Sequence, residues 1–171
     1  MSGSKHSVGR AFLALCLSVS LLTGCAHPQL VKPGDTLDSV LDELGAPDAR
    51  VRTQAGERLV YSLQPMGREV WWIWADEKGR VIQREEVLDR KHMALVQPGR
   101  SKVEDVQNLF GRCAQTYHFA LKGEDARMYR FLDAGLFPMA FWVQYDPKTL
   151  VVTETDFTTD PWLDQDNLFP F

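Results

Sequence analysis

The chain has 171 residues, 44% of them hydrophobic and 25% charged, with 12 Gly, 9 Pro and 3 Cys, close to an ordinary globular average. That excludes a collagenous, low-complexity or wholly disordered chain, and a disulfide-stapled miniprotein. The formal charge of −4 excludes a basic nucleic-acid footprint.

The first element is an address. Lys5 and Arg10 precede an uncharged stretch, Ala11 to Gly24. Its apolar core is too short to span roughly 30 Å of hydrocarbon, which takes about 20 apolar residues, so residues 1–24 read as a secretory signal. Leu22-Thr23-Gly24-Cys25 resembles the bacterial lipobox, whose cysteine is acylated and becomes the mature N-terminus. The resemblance implies a lipidated Cys25 and a short anchored segment, residues 25–29. A single chain holds a protein only marginally at about 0.8 kcal/mol per buried methylene, whereas several make attachment effectively permanent. Ala26 stands where proteins retained at the inner membrane usually carry Asp, so the expected location is the outer membrane, facing the periplasm. The signal removes two of the 19 basic residues and none of the 23 acidic ones, leaving 17 against 23 and a net charge of −6. It also removes Cys16. With Cys25 lipidated, only Cys113 remains, and a lone thiol forms no internal disulfide. Cys113 reads as a small buried apolar side chain.

The body repeats itself. Val31-Lys-Pro-Gly-Asp-Thr36 returns as Val96-Gln-Pro-Gly-Arg-Ser101, and Val40, Leu44 and Gly45 return as Val106, Phe110 and Gly111. Tyr61 pairs with Tyr129, and Trp72-Ile73 with Trp142-Val143, the offset drifting from 65 to 70 through presumed loops. The copies span residues 30–88 and 89–158. In each, a Pro-Gly turn leads to a helix start, with Thr36 and Ser101 placed as N-caps and Ser101-Lys-Val-Glu104 spaced as a capping box. Leu37, Val40, Leu41 and Leu44 mark one helix face, as do Val103, Val106, Leu109 and Phe110. Gly45 and Gly111 sit where a left-handed C-cap belongs. Asp38, Asp42 and Glu43 fall on the wet side. A further short helix is expected within Leu88–Val96.

Three strands follow in each copy: Arg58–Gln64, Arg68–Ala75 and Arg80–Leu88, then Ala126–Ala134, Met139–Tyr145 and Thr149–Asp156. Turns between the second and third argue for antiparallel hairpins. In Val70-Trp-Trp-Ile-Trp74, Val70, Trp72 and Trp74 point one way while Trp71 and Ile73 point the other. Both faces are apolar. One covers the helix, and the other meets the sister copy, a partner protein or the membrane surface. Trp71, Trp72, Trp74 and Trp142 are therefore the candidate binding surface.

Pro33-Gly34-Asp35-Thr36, Val40, Leu44-Gly45-Ala46-Pro47, Tyr61 and the hairpin Trp74-Ala-Asp-Glu-Lys-Gly79-Arg-Val81 resemble the SmpA/OmlA signature of BamE-like lipoproteins. The second copy matches more loosely, with Arg112 where Pro47 would stand. The resemblance implies an α+β fold of two tandem repeats, each one or two short helices packed on a three-stranded antiparallel sheet. Members of that family support the machine that folds β-barrels into the outer membrane, binding its other subunits and nearby lipid. The tandem arrangement is similar to secreted β-lactamase inhibitor proteins, which grip a partner with a concave sheet.

Chemistry is sparse. His6, His27, His92 and His118 are scattered, and no HExxH, CxxC, GxSxG, P-loop or GxGxxG is present, so no catalytic residue, metal site or cofactor is assigned. Adjacent Glu85-Glu86 would point to opposite strand faces. Tyr61 and Tyr129 read as packing residues. The tail, residues 159–171, mixes Trp162, Phe169 and Phe171 with acidic residues, a candidate partner-binding segment. The expected function is a non-catalytic outer-membrane lipoprotein that binds another envelope protein, with the barrel-assembly machine as one candidate partner, membrane lipid held through acylated Cys25 and no nucleic acid. The alternatives are a structural envelope lipoprotein binding lipid or peptidoglycan, and a periplasmic inhibitor-like protein.

Overall fold

Leu37, Val40, Leu41 and Leu44 recur at helical spacing, and in the computed structural model, which describes residues 26–163, they line helix α1 (Leu37–Leu44). Thr36 caps it, its hydroxyl accepting from the Ser39 amide at 3.1 Å. Four antiparallel strands follow: β1 (Ala49–Thr53), β2 (Gly56–Ser62), β3 (Val70–Asp76) and β4 (Val81–Glu86), paired in chain order. The short helix α2 (Arg90–Met93) leads to α3 (Val103–Phe110) and a second meander: β5 (Gln115–Phe119), β6 (Glu124–Asp133), β7 (Phe137–Tyr145) and β8 (Val152–Thr159). The fold is α+β with two four-stranded antiparallel sheets.

The three-stranded expectation is corrected by β1 and β5. Their sequences, Ala-Arg-Val-Arg-Thr and Gln-Thr-Tyr-His-Phe, carry no apolar run. An outer strand borrows a hydrogen-bonding ladder from one neighbour and needs little apolar surface of its own, so its signal is weak. The capping expectation for the second helix also moves. Lys102, not Ser101, occupies the N-cap, and the Asp105 carboxylate accepts the Lys102 amide at 2.7 Å while Ser101 Oγ accepts the Gln97 amide. Gly45 and Gly111 end their helices at φ 76° and 64°, but with ψ of −163° and −142°, a region open essentially only to glycine.

The two units share local geometry down to single bonds. The Tyr61 hydroxyl donates to the Gly45 carbonyl at 3.0 Å, and Tyr129 does the same to Gly111 at 3.1 Å. Each sheet breaks register at the same place, between Trp74 and Ala75 and between Gln144 and Tyr145.

Two cores result. Leu59, Tyr61, Ile73 and Val81 on one face of the first sheet pack under Leu37, Val40, Leu41 and Leu44 of α1. The larger core joins the units: Val60, Val70 and Trp72 from the opposite face meet Val106 and Phe110 of α3, then Tyr129, Phe131, Phe141 and Val143 of the second sheet. Helix α3 is thus covered on both sides. Gln64, 1% exposed, strengthens the joint by placing its side-chain amide against β6, where β5 has ended. Its Nε2 donates to the Arg130 carbonyl at 2.6 Å and its Oε1 accepts the Arg130 amide at 3.3 Å.

Candidate functional site

The first-sheet tryptophans are not an open surface. Trp72 is 6% exposed, and its indole N–H donates to the Leu109 carbonyl at the end of α3, at 2.6 Å. The Arg58 guanidinium lies 3.8 Å over that ring and donates to the neighbouring Asn108 carbonyl at 2.9 Å. These two donors satisfy carbonyls that a helix C-terminus leaves without intrahelical partners. Burial lowers the Arg58 pKa from its ordinary value. Trp74, half-buried, meets Trp72 edge to face at 5.4 Å. Trp71 turns to the other face, is buried, and donates to Glu69 Oε2 at 2.7 Å. The sister unit therefore covers the face carrying Trp72 and Trp74, and the four candidate tryptophans do not share one patch.

Trp142 belongs to a different environment. It holds the position in β7 that Trp72 holds in β3, but no helix covers its face among the described residues. Its indole N–H donates to Thr158 Oγ1 at 2.9 Å, and Tyr117 leans on its ring at 5.1 Å. Beneath this pair lie Ala126, Met128 and Ala140, fully buried yet outside both cores. Strand alternation places Tyr117, Phe119, Met128, Trp142 and Asp156 on this one face. At its β5–β6 end a groove of about 550 Å³ is lined by His118, Phe119, Leu121, Lys122, Trp142 and Asp156, among others. Leu121 is fully exposed at the rim, and Phe119 is 37% exposed. The Lys122 ammonium bonds Gln144 Oε1 at 3.1 Å and lies 3.4 Å from Glu154, which leaves Asp156 as an acidic rim. The groove therefore has an apolar, aromatic floor and charged edges.

Sequence reasoning missed Tyr117, Phe119 and Leu121, because β5 was not expected. The alternation Gln115-Tyr117-Phe119 was the available signal.

At the far end of the same face, Asp160 accepts from Arg130 Nε at 2.9 Å and from Arg68 Nη2 at 3.0 Å. Asp160 and Arg130 are 2% and 5% exposed. Arg130 lies 4.7 Å under the Trp162 ring, which pins the start of the tail. Phe169, Phe171, Cys25 and the lipobox residues Leu22, Thr23 and Gly24 lie outside the described residues.

The remaining reactive groups are dispersed. Cys113 is half-buried against the larger core. His92 is buried, 2.9 Å from Asp89, and His118 is 2.7 Å from Asp125. Glu86 accepts the Leu88 amide, while burial pushes its carboxyl above the usual range. Burial raises the Tyr61 hydroxyl to about 12 and Tyr129 further still. Among the described residues no group of three His, Cys, Asp or Glu side chains is placed to hold a metal ion, and no helix is long and apolar enough to cross a membrane. No protein-family model, curated protein or solved structure matches the chain.

Proposed function

We propose that this chain is a lipid-anchored outer-membrane lipoprotein that works without catalysis, binding another envelope protein on the open face of its second sheet. One observation carries the reading. The face of the first sheet that bears Trp72 is filled by α3, whereas the corresponding face of the second sheet, with Tyr117 and Trp142, has no helix over it among the described residues. A duplicated module of the BamE-like type supplies a reason. Each copy would cover the one before it, and the last would keep its sheet for a partner. The similarity to β-lactamase inhibitor proteins points to the same use of a sheet, and the barrel-assembly machine of the outer membrane is one candidate partner. Membrane attachment through acylated Cys25 keeps the site at the envelope.

The test is crosslinking and pull-down of the full chain from envelopes, run beside Trp142→Ala and Leu121→Ser. A specific envelope protein is expected with the unaltered chain and is lost with both variants. Recovery of no partner, or of the same partner by both variants, refutes the proposed site.

A further inference from the structure

One end of the molecule gathers the first described residues, two strand turns and the last described residues. The loop between β2 and β3 closes on itself, the Leu63 amide donating to Glu69 at 3.0 Å and the Gly67 amide to Leu63 at 2.7 Å. Met66, at its tip, is 92% exposed. His27 lies 3.6 Å from the Glu69 carboxylate of this loop, and Ala26 and Leu63 line one small pocket. Arg130 Nη1 donates to the Pro65 carbonyl at 3.3 Å, and the Asp160 that Arg130 and Arg68 share donates its amide to Pro138 at 3.2 Å. Pro138 follows the β6–β7 turn, where Leu136 and Phe137 are 75% and 62% exposed.

Three large apolar side chains thus stand in water at these two turns, the first of them, Met66, three residues from Leu63, which shares a pocket with Ala26. A single exposed leucine means nothing, but several together at one end mark an interaction surface. Most of the charges beside them are paired: Arg68 and Arg130 on Asp160, and Arg90 on Asp133 at 2.7 Å, while Glu69 accepts from the Trp71 indole and faces His27. Closed pairs of this kind place few free charges against a low-dielectric neighbour.

We propose that this end rests on a lipid surface, with Met66, Leu136 and Phe137 inserted among the headgroups. The occupant follows from the chain that precedes the described part. Ala26 enters the fold here, and on the lipoprotein reading the residue before it, Cys25, carries the acyl chains once residues 1–24 are removed. That anchor holds this end of the fold at the membrane, and these side chains arrive with it. The inference rests on the lipoprotein reading and adds an orientation to it. The groove at Leu121 lies at the other end of the ten-residue strand β6, about 30 Å away along it, and therefore faces the aqueous side.

The experiment places an environment-sensitive fluorescent amino acid at residue 66, 136 or 121 of the full chain. Each protein is reconstituted into vesicles of phosphatidylethanolamine and phosphatidylglycerol, with and without acyl-brominated lipid. A blue shift and bromine quenching are expected at 66 and 136, with neither at 121. Protein that co-sediments with vesicles but shows no quenching at 66 and 136, or equal quenching at 121, overturns the orientation and leaves lipid anchorage standing. Failure to co-sediment overturns both.

Discussion

Gly111 is where the joint between the units can be tested against an internal control. It ends α3 at φ 64°, and a Cβ built there would lie 2.7 Å from Asp48 Cβ, 3.2 Å from Asp48 Cγ and 3.3 Å from Ser62 Cβ of the first unit. Gly45, its counterpart at φ 76°, faces nothing within 4 Å. Alanine at either site pays a backbone cost of roughly 1–3 kcal/mol for a conformation that other residues avoid. Gly111→Ala adds overpacking of about 1–3 kcal/mol, because the first unit must move off the end of α3. The expected destabilisation is therefore about 1–3 kcal/mol for Gly45→Ala and about 2–6 kcal/mol for Gly111→Ala. Urea unfolding of the full chain in detergent, followed by tryptophan fluorescence, measures both. The extra cost at Gly111 corresponds to a further fall in Tm of roughly 2–4 °C per kcal/mol at this size. Equal losses for the two variants refute the claim that the end of α3 abuts the first sheet.

Trp72→Phe removes the donor to the Leu109 carbonyl and some buried volume, for an expected loss of about 1–3 kcal/mol by the same unfolding assay. Trp142→Phe, half-buried with an exposed threonine as partner, is expected to fall within about 1 kcal/mol, and a larger loss there than at Trp72 contradicts the two environments. Asp160→Asn withdraws the carboxylate that Arg68 and Arg130 share and leaves Arg130 buried without that counter-charge, expected to cost about 3–5 kcal/mol; an unchanged urea midpoint refutes this. Tyr61 and Tyr129 ionise above their ordinary value, chiefly through burial, so their protonated forms are favoured by folding. Their contribution is complete below about pH 10 and is lost as pH rises through the folded values. Alkaline unfolding is accordingly shallower in Tyr61→Phe with Tyr129→Phe, and ultraviolet difference titration of the unaltered chain against that double variant checks it: a phenolate signal from the two replaced tyrosines near pH 10 in the folded chain sinks the assignment.

The sequence by itself determined the parts governed by neighbours along the chain. Apolar residues three and four apart laid out α1 and α3, the two glycines closed them, and the alternation in Val70–Trp74 sent Trp72 and Trp74 one way and Ile73 the other, as the two cores show. Short-range signals were weaker where one side of an element is wet. β1 and β5 carry mixed polar residues and became strands because β2 and β6 offered them a ladder, the alternation Gln115-Tyr117-Phe119 being too short a local signal to mark β5 without it. Helix α3 begins one residue later than Ser101 suggested, because Asp105 reaches back to the Lys102 amide. Only the tertiary structure decided which apolar face meets which. Trp72 and Trp142 occupy like positions in like strands, yet α3 buries the first while among the described residues the second keeps an open face, since docking one unit on the other consumes one face of each helix–sheet pair and leaves one sheet over. That choice depends on contacts between residues some 40 positions apart in the chain, such as Trp72 with Leu109, and pattern along the sequence carries no term for it.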